Sequence, residues 1–219
     1  YDSNYKGGKI MLGLIKKDFL IIKGNLKLIV VMLFVFLIMT LQGQFDISFI
    51  SPFIVIMLFM STFSYDEYNK WDAYAITLPS GRKNIVKSKY IASLILVLLT
   101  TIITIMLNCL VGIINNNLEF DKFISTLVGS TFATILIQSV MYPLIFKFGI
   151  EKGRIGLFVL TFAITGIVGL CSKAVKINIP INIISFFNSY WFIIIPVILI
   201  VVLLISYKMS EKIYSQKEF

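Results

Sequence analysis

Six stretches of this sequence, 28–45, 47–65, 90–118, 123–146, 155–172 and 177–207, contain no Asp, Glu, Lys or Arg, and the chain has no histidine at all. An α-helix needs roughly 20 mostly apolar residues to cross the hydrocarbon of a bilayer. Each stretch is therefore long enough for one crossing. The last has room for two, but Asn178, Pro180, Asn182, Asn188 and Ser189 interrupt its first half. That half reads as an outer connection, and 190–207 as the crossing. The period-2 alternation of a membrane barrel is missing. The expectation is an all-α polytopic membrane protein with six transmembrane helices near 28–44, 47–64, 90–114, 123–146, 155–171 and 190–207. Residues 1–10 are set apart as a tail or scar, and 11–219 form one transmembrane domain.

Charge is scarce and sorted. Charged residues make up 14% of the chain, against about 25% in a soluble domain. The net charge of +9 would hint at nucleic acid in a soluble protein, but the distribution points to a membrane and to no nucleic-acid partner. With the N-terminus placed in the cytoplasm, every basic residue except Lys122, Lys173 and Lys176 falls on an inner segment. This is the positive-inside pattern. It predicts a multi-pass protein of the cell membrane with both termini cytoplasmic.

Several kinds of chemistry are excluded. Without histidine there is no Ser-His or Cys-His nucleophile, and the commonest metal ligand is absent. Cys109 and Cys171 lie in or beside apolar runs and read as packing residues. No GxxxxGK[ST] phosphate cradle occurs. No catalytic residue, metal site or cofactor is expected on this chain. The six crossings hold no ionisable residue, which argues against proton-coupled carriers and intramembrane proteases. Their mild polar residues, among them Thr100, Thr101, Thr104, Asn108, Ser130, Thr134, Gln138 and Ser139, are expected to hydrogen-bond between helices.

Residues 11–27 mix lysines with Leu12, Ile15, Phe19, Ile22 and Leu26 at helical spacing. They predict an amphipathic helix lying in the inner interface, its lysines reaching the headgroups. The richest polar stretch is 64–90, SYDEYNKWDAYAITLPSGRKNIVKSKY. Within it Tyr68, Trp71, Ala75 and Leu78 recur at the spacing of one helical face. Asp66 and Lys70 are spaced for an i, i+4 pair on another face. Pro79-Ser80-Gly81 breaks the chain, and a basic helix then enters the membrane.

This order of parts resembles the permeases of ABC transporters of the second exporter type. They share a basic interfacial elbow, six spans and a long inner loop between spans 2 and 3. The segment YDEYNKWDAYAITLPSGRKNIVKSKYI is similar to that family's inner loop, with acidic residues, an aromatic, LP, a small residue, then Arg/Lys and KY. The small size is similar to permeases that export amphipathic peptides such as phenol-soluble modulins or confer resistance to antimicrobial peptides. The resemblance implies that Asp66, Glu67, Tyr68, Trp71, Tyr74, Leu78, Pro79 and Arg82 form a coupling helix seated in a separate ABC ATPase subunit. Two such subunits, carrying the ATP and Mg, would serve two permeases paired as a homodimer or with a similar chain. It implies further that spans 1, 2 and 5 line the substrate path, where Phe36, Met39, Met60 and Phe63 offer soft apolar surface. The substrate would be an amphipathic peptide or another hydrophobic molecule in contact with lipid. The rival readings are an ATP-independent immunity or scaffold protein that binds a peptide, and a uniporter or channel.

In a background with Cys109 and Cys171 replaced by serine, cysteines at Asn116 and Asn182 should react with an impermeant thiol reagent added to intact cells. One at Ser80 should not. The opposite labelling reverses the orientation.

Overall fold

The computed structural model describes residues 2–43, 46–75, 77, 81–115, 120–156, 158–159, 162 and 181–217, with side chains placed for most of them. The described residues form helices only. These are α1 (Asp2–Gly24), α2 (Leu26–Leu41), a 3-10 turn (Ile47–Phe49), α3 (Ile50–Tyr68), α4 (Trp71–Ala75), α5 (Gly81–Ile114), α6 (Phe120–Phe148), α7 (150–156) and α8 (Ile181–Gln216). In hydrocarbon the backbone must satisfy its own hydrogen bonds, and a helix does so within one segment. Four helical segments are long and apolar enough to cross a membrane: Ile47–Tyr68, Arg82–Ile114, Phe123–Phe148 and Ile194–Gln216. A fifth is reached if Met11–Gly24 and Leu26–Leu41, bent by 59° at Asn25, count as one span. The expected span at 155–171 lies almost wholly outside the described residues.

Two boundaries differ from expectation. The helix preceding the first apolar run reaches back to Asp2, so the tail residues continue it. At the other end, α8 begins at Ile181 and passes unbroken through Asn182, Asn188 and Ser189. Polar residues placed singly cost a helix only tenths of a kcal/mol, too little to interrupt one. In α1 the buried positions are Leu14, Asp18 and Ile22, four apart, while Leu12 of the expected stripe is 65% exposed.

The bundle has a charged end, where α1, the last turn of α3, α4, the first turns of α5 and the end of α8 meet. At the opposite end Asp46 caps the 3-10 turn that leads into α3, accepting a hydrogen bond from Ser48 N at 2.9 Å. The most extensive packing is α6 on α8, followed by α1 and α8 on α5 and by α3 on α5 and α6. Near the charged end the core is aromatic. Tyr142 stacks on Tyr90 at 4.1 Å between ring centroids and meets Phe59 edge-on at 4.3 Å. A second core of Ile22, Ile29, Ile50, Ile54, Leu58 and Leu96 joins α1, α2, α3 and α5. The flank of α2 formed by Val30, Val31 and Phe34 stays exposed.

The mild polar residues bond mostly within their own helices, which corrects the interhelical expectation. Thr100, Thr104, Thr134 and Ser139 each donate to the carbonyl four residues back, at 2.7–2.9 Å. A hydroxyl that finds a backbone acceptor one turn away needs no second helix. The amide of Gln138 is buried with no hydrogen-bond partner among the described residues on either polar atom. Asn108 and Thr126 do meet Ser48 across elements, at 3.4 and 3.1 Å, and a tighter interhelical knot forms where the ladder is broken. Pro143 lacks an N–H, so the Ser139 carbonyl loses its helical donor. Ser206 Oγ of α8 replaces it at 2.6 Å, and Tyr90 Oη lies 2.6 Å from Ser206 Oγ and 2.9 Å from Ser210 Oγ.

Ser206→Ala removes that donor from a buried carbonyl. It should cost about 1–2 kcal/mol, read as a lowered melting temperature of the purified protein in detergent. Ser215→Ala, on the exposed end of α8, should leave the melting temperature unchanged.

Candidate functional site

The polar stretch 64–90 folds differently from a single amphipathic helix. α3 runs on past the apolar residues and carries Asp66, Glu67 and Tyr68 on its last turn. Asn69 and Lys70 break it, and Lys70 adopts a left-handed backbone with φ of 48°. α4 then starts at Trp71 in a new direction. The expected shared face is therefore split. Tyr68 is 87% exposed while Ala75 is 1% exposed. The expected Asp66–Lys70 pair is not made, because Lys70 lies beyond the end of the helix that would have aligned it.

Asp66 turns inward. Its two oxygens accept from Lys17 Nζ of α1 at 2.5 Å and from Lys89 Nζ of α5 at 2.6 Å. Lys89 also reaches Asp18 of α1 at 2.8 Å, and Lys17 lies 3.5 Å from the same Asp18 oxygen. Two lysines and two aspartates thus form a neutral quartet, with Asp18, Asp66 and Lys89 buried. Lys17 is half-buried on α1, outside the four spanning helices. Desolvation first, and then the charge of Lys89, lower its pKa, opposed by Asp66 and Asp18. Its ammonium also sits 4.1 Å from the centroid of the Trp71 ring, a cation–π contact.

The other acids are engaged as well. Glu67 Oε2 accepts from Ile150 N at 2.7 Å and caps the start of α7, where a carboxylate meets the positive end of the helix dipole. The chain reaches that point through Gly149, whose φ of +81° lies in the left-handed region that favours glycine and whose added Cβ would press on the Glu67 carboxylate at 3.1 Å. Asp72 of α4 accepts from Tyr214 Oη at 3.1 Å and faces Lys217 Nζ at 3.5 Å. Arg82 Nη1 donates to the Ser215 carbonyl at 2.6 Å, and Lys83 pairs with Glu211 at 2.9 Å. The loop is thus pinned to α1 and α5 on one side and to the end of α8 on the other. Between them lies a cavity of about 300 Å³ bordered by Phe63, Asp66, Glu67, Trp71, Asp72, Lys89, Phe146 and Lys217.

Of the coupling residues expected from sequence, Asp66, Glu67, Tyr68, Trp71, Tyr74 and Arg82 lie at this end, on the last turn of α3, on α4 and at the start of α5. Leu78 and Pro79 lie outside the described residues. Trp71 is half-buried and packs on the aromatic core, whereas Tyr68 and Tyr74 expose 87% and 57% of their surfaces. The residues expected along a substrate path are not gathered on one surface. Phe36 packs on the second core, 5.7 Å from Phe53 between ring centroids. Met39 is 36% exposed on α2. Met60 leans on the aromatic core, and Phe63 is buried in it with Lys89 Nζ 4.7 Å from its ring centroid. Sequence reasoning missed Asp18, Lys17 and Lys89 as a unit, counting the lysines as headgroup anchors. The available signal was one acid at the middle of the Leu14–Ile22 stripe.

Breaking the quartet from one side strands buried charge, which costs roughly 3–5 kcal/mol. Lys89→Met should therefore lower the melting temperature far more than Lys83→Ala, whose pair is exposed. Equal effects would mean the quartet is solvated.

A family model described as ABC-2 family transporter protein matches residues 13–215. No curated protein and no solved structure matches the chain.

Proposed function

The chain belongs to the ABC-2 family of transporters, and from that premise we propose that it is the permease half of an exporter whose ATPase docks on the charged end through Tyr68 and Tyr74. Family membership makes it a multi-pass membrane permease subunit that works with a separate ABC ATPase. The charged end is then the cytoplasmic end, where ATP is available, and both termini lie inside the cell membrane's inner face. The bend between α1 and α2 suits an interfacial elbow leading into a first span.

The observation that carries the docking site is a contrast. Asp66, Glu67, Asp72 and Arg82 are all committed to partners within the chain. Tyr68 and Tyr74, on the same segment, are exposed. Tyrosine is among the residues most enriched at binding hot spots. A segment held rigidly from behind, with two rings facing out, transmits a push with little loss. The role expected for Trp71 shifts accordingly from touching the ATPase to seating α4 on the bundle.

The substrate we propose is an amphipathic peptide or a comparably hydrophobic molecule, of the kind moved by phenol-soluble modulin exporters. Among the described residues the spans present mostly apolar and soft side chains, and the charged groups gather at the end that carries the quartet. Two permeases would pair, as a homodimer or with a similar chain, and the exposed flank of α2 at Val30, Val31 and Phe34 is the surface available for that seam or for lipid.

Truncating a hot-spot ring costs about 2 kcal/mol or more, roughly a thirtyfold loss in affinity. Tyr68→Ala and Tyr74→Ala should each reduce co-purification of the partner ATPase and its ATP turnover in the complex, with membrane yield unchanged. Lys83→Ala should do neither. Full ATPase binding by the Tyr68→Ala/Tyr74→Ala double variant would leave the loop a connector and favour the ATP-independent scaffold.

A further inference from the structure

The quartet joins three helices that have no sequence proximity: Lys17 meets Asp66 across 49 positions, and Lys89 meets Asp18 across 71. We infer that Lys17, Asp18, Asp66 and Lys89 make α1 and the loop that follows α3 one mechanical body, so that α1 travels with the loop when the loop is displaced. This rests on reading the loop as the point where force arrives.

The geometry favours rigid transmission. Asp66 sits on the last turn of α3, five residues before α4 begins at Trp71, and α4 is seated through its buried Ala75. Both its oxygens are used, one by α1 and one by α5. Rotation or withdrawal of that turn must either carry α1 along or pull a carboxylate away from two ammonium groups. Separating buried ions is costly because water does not replace the lost partner at once. A sliding apolar contact has no such barrier, being non-directional. The second tie, Lys17 over the Trp71 ring at 4.1 Å, links α1 to α4 itself. α1 also packs more closely on α3 and α5 than on α2, its neighbour in sequence. The bend at Asn25 separates the two, with Asn25 Nδ2 donating to Ser61 Oγ at 2.6 Å. α1 is therefore grouped with the loop rather than with the helix it precedes.

The test needs no ATPase, so its failure is separate from failure of the docking proposal. Amide hydrogen exchange is followed by mass spectrometry on the full chain in nanodiscs, in wild type, Asp66→Asn, Asp18→Asn and Lys83→Ala. If the inference holds, Asp66→Asn raises exchange in 11–24 by about tenfold while α6 is unchanged, since local opening reports local stability. By reciprocity, Asp18→Asn raises exchange in 66–75, and Lys83→Ala changes neither segment. Should either aspartate variant fail to insert, Lys17→Met replaces it, because that side chain is only half-buried and Lys89 still serves both carboxylates. Unchanged exchange in 11–24 on loss of Asp66 or Lys17 overturns the inference. So does an equal rise in every helix, which would make the quartet a source of general stability and nothing more.

Discussion

Lys89 cannot be buried alone. An ammonium taken out of water loses several kcal/mol of solvation, and here it lies among aromatic rings with 6% of its side chain exposed. Its burial obliges two carboxylates to come to it, and they stand on different helices, Asp18 on α1 and Asp66 on α3. Those carboxylates together call for a second cation, which Lys17 supplies. Satisfying one charge thus fixes how three helices meet. The end of α3 is held in place, which determines where α4 begins and which rings of the loop face outward.

The interior of the bundle obeys the same rule in milder form. Hydrocarbon leaves no polar group a water to bond, so each donor seeks the nearest acceptor. For most Ser and Thr residues that acceptor is one turn back in the same helix. At Pro143 the freed Ser139 carbonyl takes its donor from a neighbouring helix, through Ser206, and Asn25 and Asn108 reach across to Ser61 and Ser48. Specific ties between helices are densest near the charged end, with a smaller set around Ser48 at the opposite end, while much of the remaining contact is apolar packing that constrains position less sharply.

Much of the architecture could be read from the chain alone. The charge-free windows located the apolar cores of α2, α3, α5, α6 and α8, because the thickness of a bilayer is matched by a run of consecutive residues. A new helix after the Pro79-Ser80-Gly81 break followed from local turn chemistry. The split of the 65–78 helix did not, because Tyr68, Trp71, Ala75 and Leu78 do fit a helical period. What defeats the period is the fixing of Asp66 by residues far away, together with a left-handed Lys70. The same holds for α8, where Asn188 and Ser189 look like interruptions but do not end the helix.

The site divides along that line. The sequence by itself determined that this is a helical membrane protein with segregated charge and with its richest polar segment between two spans, since chain length, hydropathy and charge pattern are properties of consecutive residues. That 64–90 is the richest polar stretch, set between two apolar runs, was also legible from its composition. Which of its residues are spent inside the chain and which remain for a partner was decided only by the tertiary structure. Asp66, Glu67 and Asp72 find their partners at Lys17, Lys89, Ile150 and Tyr214, at distances along the chain that no local pattern encodes. Exposure of Tyr68 and Tyr74 is what remains after those long-range electrostatic demands are met.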